Sequence, residues 1–192
     1  MDRYQFSEKH YFFEHARNEG LLRAINLPIA VLTIVASALL WLGSDIQLHD
    51  ILSGKDISEY VLILLISLSY ISMSFSAYYL IRSQIAYKYA HIASPQKMEE
   101  FFAKLVDFYD QEESAEQQTD PRSNATQEFE RELILAYANG AHVNKLNNDK
   151  KSGFLSSAKV CMLVSLVFMV LSALAHLATL VMKISETKFF LI

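Results

Sequence analysis

The chain has 192 residues, 52% of them apolar and only 20% charged, with five glycines and three prolines. With a net charge of −4 and a mean hydropathy of +0.18, it is neither collagen-like, low-complexity nor a globally basic nucleic-acid binder. The apolar excess sits in three stretches, Ala24–Gly43, Tyr60–Ile81 and Val160–Met182, of 20, 22 and 23 residues. Each can cross a ~30 Å hydrocarbon core as a helix rising ~1.5 Å per residue, which argues against a soluble enzyme.

Residues 1–23 read as an amphipathic cytoplasmic helix, with Tyr4, Tyr11, Phe12, His15 and Leu22 at helical spacings between charged residues. Asp2, Glu8, Glu14 and Glu19 do not suit a signal peptide, so the first span, 24–43, is expected to be a retained anchor. Asn26 and Pro28 lie in its first turn, where the missing proline N–H costs little. Residues 44–59 form a short acidic external loop, and 60–81 the second span. The helical pattern then continues through Tyr87 and His91 to Ala93. Ser94-Pro95 signals a new helix start, followed by Met98, Phe101, Phe102, Leu105, Phe108 and Tyr109 at three- and four-residue steps. The strongest turn signal is Asp120-Pro121-Arg122-Ser123-Asn124. Beyond it the pattern resumes with Phe129, Leu133, Ala136, Tyr137, Ala141 and Leu146, and Ser152-Gly153 suggests a kink. Residues 160–182 are the third span and 183–192 an external tail. The expected fold is an all-α membrane protein, with three transmembrane helices and a long cytoplasmic helical hairpin, 82–159, between the second and third.

Charge sets the orientation. With the N-terminus and the hairpin inside, 14 of the 17 Lys and Arg residues are cytoplasmic. The positive-inside rule therefore predicts N-terminus in and C-terminus out. The single cysteine, Cys161, excludes an intramolecular disulfide or a cysteine zinc cluster. The sequon at Asn124 falls on the predicted inner side and is read as chance.

On helical wheels the spans carry polar stripes. Span three aligns Cys161, Ser165, Ser172, His176, Thr179 and Lys183; span two aligns Ser69, Ser72, Ser76 and Ser83; span one aligns Asn26, Thr33, Ser37 and Ser44. Such groups are costly against lipid, so they should face protein or water. Small hydroxyl residues can be a close-packing seam. His176 and Lys183 are too large for one, so the span-three stripe, with Ser69, Ser72 and Ser76, is also a candidate pore lining. A conduit would require several copies of the chain.

No phosphate loop, nucleophile elbow or catalytic set is present, and no cofactor or metal is expected. His10, Glu14 and His15 do not share one helix face, and Asp107, Asp110, Glu112 and Glu113 lack a cation-loop spacing. The recognition candidates are at the inner mouth: Arg82 and Lys88 descend from span two, while Lys145, Lys150, Lys151 and Lys159 rise to span three, with asparagines such as Asn148 between them. This collar can anchor to anionic lipid or take an anionic ligand such as an oligonucleotide.

Tyr137-Ala138-Asn139, Asn144, Asn147, Lys151, Leu155 and Ala158, running into a hydrophobic span, resemble the corresponding region of the SLATT-like small transmembrane effectors of bacterial antiphage defence. Size, a long cytoplasmic hairpin and the lack of an enzyme domain are similar to the Hailong-type channel effectors among them. The third span departs from the usual two-span layout. The resemblance implies a homo-oligomeric ion channel, tetrameric by expectation, that depolarises the cell. The resemblance further implies that the channel is held shut by a single-stranded DNA oligomer from a partner nucleotidyltransferase, a form of nucleotide signalling. By position alone it makes Lys145, Asn148, Lys150 and Lys151 ligand candidates. The competing class is a non-conducting membrane adaptor whose hairpin docks a partner protein.

Overall fold

The computed structural model of the chain describes residues 2–44, 57–85, 87–112 and 120–189, with Glu112 and residues 183–189 as backbone only. Most of the expected external loop, and the side chain of Lys183, lie outside the described residues. The fold is all-helical: α1 (Arg3–Arg23), α2 (Asn26–Ser44), α3 (Ile57–Arg82), α4 (Pro95–Glu112) and α5 (Pro121–Phe189), with no strand among the described residues. Three helical stretches, within Arg3–Ser44, Ile57–Arg82 and Pro121–Met182, are long and apolar enough to cross a membrane.

The chain divides into two compact units, one of Met1–Leu22 with Ala86–Lys150 and the other of Arg23–Ile85 with Lys151–Ile192. The second unit contains the apolar helices. Val35, Leu39 and Leu42 of α2 are buried against Leu62 and Ile66 of α3, with Leu166, Met169 and Ala173 of α5 closing the cluster. Polar bonds tie α3 to α5. Ser69 Oγ donates to the Ser165 carbonyl at 2.8 Å, and Ser165 Oγ donates back to the Ser69 carbonyl at 2.9 Å. One and two turns further along α3, Ser72 Oγ donates to the Cys161 carbonyl at 2.8 Å and Ser76 Oγ to the Ala158 carbonyl at 2.7 Å. Serine suits this seam because its small side chain lets two backbones approach while still supplying a donor.

The first unit is aromatic. Its core joins Tyr11 of α1 to Tyr137 and Ala141 of α5, with Tyr4, Ile92 and Leu133 packed around them. Tyr137 meets Tyr4 edge-to-face at 5.8 Å and Tyr11 at 5.6 Å. α4 touches α5 through Phe102 and Phe129, whose ring centroids are 5.5 Å apart. Both helices begin on side-chain signals visible in the sequence. Ser94 precedes Pro95 at the start of α4, where Met98 N donates to the Ser94 carbonyl at 3.1 Å. Asp120 accepts from Arg122 N at 3.1 Å through its carboxylate and from Ser123 N at 2.8 Å through its carbonyl. The turn expected at 120–124 is thus the capped first turn of α5, with Pro121 at the position that tolerates it best.

Two expectations about helix continuity fail. The helix of span two does not run on to Ala93: it ends at Arg82, and residues 87–94 are non-helical. The reason lies in the asparagines of α5, which bond the backbone of that segment. Nor does Ser152-Gly153 kink the chain, because α5 is one helix from Pro121 to Phe189. Gly140, in contrast, is required by space: a Cβ there would stand 3.0 Å from Tyr11 Cδ2 and 3.1 Å from Cε2. Gly140→Val should therefore cost about 1–3 kcal/mol by overpacking. It would be read as a fall in the melting temperature of the detergent-solubilised protein, whereas Gly153→Ala, with open space around the new carbon, should not lower it.

Candidate functional site

The expected collar resolves into residues of different kinds. In the first unit, Lys88, Lys145 and Lys150 are exposed. Asn148 is fully buried. Its Nδ2 donates to the Glu14 carbonyl at 2.7 Å and to Glu14 Oε2 at 2.9 Å, while its Oδ1 accepts from Tyr89 OH at 2.9 Å. Asn148 is thus an internal connector, and its polar atoms do not face solvent. Its neighbours on α5 act alike. Asn144 Oδ1 accepts from Ala90 N at 2.8 Å and its Nδ2 donates to the Ala90 carbonyl at 3.2 Å; Asn147 Nδ2 donates to the Lys88 carbonyl at 2.8 Å. Glu14 is buried at 2% exposure, with Arg17 at 3.4 Å, and Arg17 also pairs with Asp149 at 2.8 Å. The hydrogen bond that the Arg17 guanidinium donates to Asp149 holds its pKa above the usual value, and burial raises that of the Tyr89 hydroxyl.

In the second unit Arg82 and Lys159 are exposed, and the Arg82 guanidinium lies 5.7 Å from the centre of the Phe154 ring. Lys151 is 4% exposed, and burial lowers its pKa. Five of the seven collar residues therefore present charge to solvent, and Asn148 and Lys151 do not.

The expected pore-lining set separates in the same way. Ser69, Ser76, Ser165 and Ser172 have no exposed surface within the chain. The first three, with Ser72, form the α3–α5 seam, and Ser172 Oγ donates to the Phe168 carbonyl of its own helix at 2.7 Å. Cys161 is half-buried, its carbonyl taken by Ser72. His176 is half-buried, its ring edge-on to Trp41 at 6.1 Å, and Thr179 Oγ1 bonds the Ala175 carbonyl at 2.8 Å. The packing explanation that the sequence left open thus accounts for the serines of spans two and three. Span one is different: Asn26, Thr33, Ser37 and Ser44 are all exposed. Thr33 and Ser37 open onto an apolar groove of about 730 Å³ between α2 and α3, which Gln84 also lines. Their hydroxyls donate to the Ile29 and Thr33 carbonyls, each at 2.9 Å, which lowers the cost of placing them in an apolar surrounding.

His10 and His15 do not join Glu14 in a ligand set: His10 stacks between Phe6 and Phe13. No group of three metal-ligating side chains forms among the described residues. Sequence reasoning missed Glu14 and Tyr89 as members of the polar network. The signal was present in the three asparagines, 144, 147 and 148, which lie on one side of a helix. Compared with family models, curated proteins and solved structures, the chain matches none.

Two outcomes follow from this network. Asn148→Ala leaves the buried Glu14 carboxylate and Tyr89 hydroxyl each short of a partner, and should destabilise the first unit by about 2–4 kcal/mol. Lys145→Ala, at an exposed site, should stay within about 0.5 kcal/mol. Hydrogen exchange at residues 87–92 checks both. Tyr137, whose hydroxyl burial pushes from 10.0 up to about 12, tests the aromatic core. Below pH 10 both folded and unfolded tyrosine are protonated. Above it the unfolded chain ionises first, so stability should fall as the pH rises from 10 to about 12. Alkaline melting should show this decline in the wild type and a smaller one in Tyr137→Phe.

Proposed function

We propose that the chain is the subunit of a homo-oligomeric ion channel of the bacterial inner membrane, with its N-terminus and first unit in the cytoplasm. In this role it depolarises the cell as an antiphage effector and is held closed by an anionic cytoplasmic ligand, a single-stranded DNA oligomer. The observation that carries the channel is the exposed polar line on α2. The aligned serines Ser69, Ser72, Ser76 and Ser165 of the other two apolar helices are consumed in the seam between them, yet the aligned Asn26, Thr33, Ser37 and Ser44 of α2 remain exposed. Polar side chains against lipid are costly, so this face belongs to an assembly. Copies arranged about an axis, with the α2–α3 groove toward it, would give the path Thr33, Ser37 and Gln84 as its polar lining. The conduit is therefore assigned to span one, and the span-three stripe to subunit packing.

The gating ligand rests on the charges left exposed in the first unit, Lys88, Lys145 and Lys150. They offer a phosphate backbone point charges. The defence role rests on the resemblance of Tyr137–Ala158 to the SLATT-like effectors. An adaptor remains the second reading because α1 exposes Phe6 and Phe13, each at 60%, as a ridge able to dock a partner.

Purified protein in liposomes separates the two: ion flux above that of empty liposomes is expected of the channel, and none of the adaptor. Thr33→Leu with Ser37→Leu should cut the flux at least about tenfold, a barrier of ~1.4 kcal/mol. Ser74→Leu, at an exposed serine of α3 outside the groove, should leave it unchanged. Single-stranded DNA should bind with steep salt dependence, and Lys145→Glu with Lys150→Glu should lower the salt slope by ~0.7 for each phosphate no longer neutralised. An impermeant thiol reagent on intact spheroplasts should label Ser53→Cys but not Asn124→Cys in a Cys161→Ser background. The reverse would invert the topology.

A further inference from the structure

The first unit contains a cavity unrelated to the basic collar. It measures about 470 Å³, within the ~300–1,000 Å³ typical of small-ligand sites. Its walls are the rings of Tyr4 from α1, Phe102 from α4 and Phe129 from α5, with Leu133 and Ile134 completing the apolar surface. Phe102 and Phe129 stand at 71° to one another with their centres 5.5 Å apart, so two ring planes make a corner. Tyr4 is fixed separately by its edge-to-face contact with Tyr137 at 5.8 Å.

The polar atoms of the same cavity have one sign. Asp2 and Glu130 line it, and no lysine, arginine or histidine does. Among the described residues neither carboxylate is in an ion pair. Asp2 Oδ1 accepts only a long contact from Tyr4 N, at 3.4 Å. Of the two hydroxyls on its lining residues, that of Tyr4 is hydrogen-bonded with Tyr137, and that of Thr126 donates to the Arg122 carbonyl at 2.7 Å. The cavity thus combines aromatic surfaces with two exposed negative charges and has no hydrogen-bond donor committed to a ligand. Such a lining repels anions, including nucleic acid. It offers a neutral molecule apolar contact and hydrogen-bond acceptors, but no charge balance. An organic cation gains from both features, since aromatic faces attract it and the carboxylates balance its charge.

We propose that this cavity is a binding site for a small organic cation, an alkylammonium of the size of choline or a short polyamine. The ammonium head would sit among Tyr4, Phe102 and Phe129 with Asp2 and Glu130 as counter-charges. The carboxylates keep their hydration on the exposed rim, so the empty site carries no buried charge. The site is distinct from the proposed conduit: none of its residues lines the α2–α3 groove or belongs to the basic collar.

Equilibrium dialysis of choline against the full-length protein in a maltoside detergent tests this. Saturable uptake of one choline per chain is expected below about 10 mM, with the neutral carbon isostere of choline at least about fivefold weaker. Glu130→Gln, an exposed and nearly isosteric change, and Phe102→Leu, which keeps an apolar side chain at the wall, should each weaken choline several-fold while leaving the helical circular-dichroism signal intact. Lys145→Glu with Lys150→Glu should leave choline binding unchanged, which separates this site from the one proposed for DNA. Absence of saturable uptake, equal affinity for the neutral isostere, or full affinity in both cavity variants would each overturn the proposal.

Discussion

Backbone amides that leave a helix must find partners, and in this chain three asparagine side chains provide them. Between the end of α3 and the start of α4 the polypeptide has no ladder of its own. Asn144 meets Ala90 with both ends of its amide, as a neighbouring strand would, and Asn147 takes up the Lys88 carbonyl. Asn148 then extends the arrangement to α1 through Glu14. A side-chain amide both donates and accepts, as a peptide group does, whereas an ionised aspartate only accepts and a lysine only donates. Without these bonds the part-buried peptide groups at Ala90 would lose their partners, each at a cost comparable to a broken hydrogen bond. The placement of α1 beside α5 depends on the same contacts, with the tyrosine cluster of Tyr4, Tyr11 and Tyr137 adding the apolar part.

The apolar unit solves the complementary problem. Leucine and valine packing gives little preference for one helix neighbour over another when the surroundings are also apolar. Direction and register come from the serines. The reciprocal pair of Ser69 and Ser165 and the two further bonds to the Cys161 and Ala158 carbonyls recur at three- and four-residue intervals on both helices. Each such bond contributes only ~0.6 kcal/mol on average, but a shift of register would break all of them together. α2, by contrast, packs through Val31, Val35, Leu39 and Leu42 and carries its hydroxyl residues on another face.

The helices were legible in the sequence because their signals are local. Long runs of Leu, Ile, Val and Ala, the Ser94-Pro95 and Asp120-Pro121 starts and the Phe101–Phe102 stripe each depend on neighbours within a few positions. What sequence could not supply was the partner of each polar residue. Asn148 and Lys145 look alike as juxtamembrane polar positions, yet one is fully buried and the other exposed. The deciding contact, with Glu14, is 134 positions away in the chain. Likewise a wheel projection groups Ser69 with Ser76 without revealing that a second helix faces them. The helix expected to continue to Ala93 failed for the same reason, since long-range amide bonds overrode a favourable local pattern.

The unbroken length of α5 has a mechanical meaning. Its 69 residues, at ~1.5 Å each, make a rod of about 100 Å. It carries the asparagine bonds near its middle and the serine seam further along. An α-helix yields to bending more readily over such a length than to unwinding, because unwinding must break its own hydrogen bonds. Within the second unit, the Ala158 and Cys161 carbonyls and the Ser165 hydroxyl ride on one unbroken backbone, so a rotation of the helix about its own axis would carry all three away from Ser76, Ser72 and Ser69 at once.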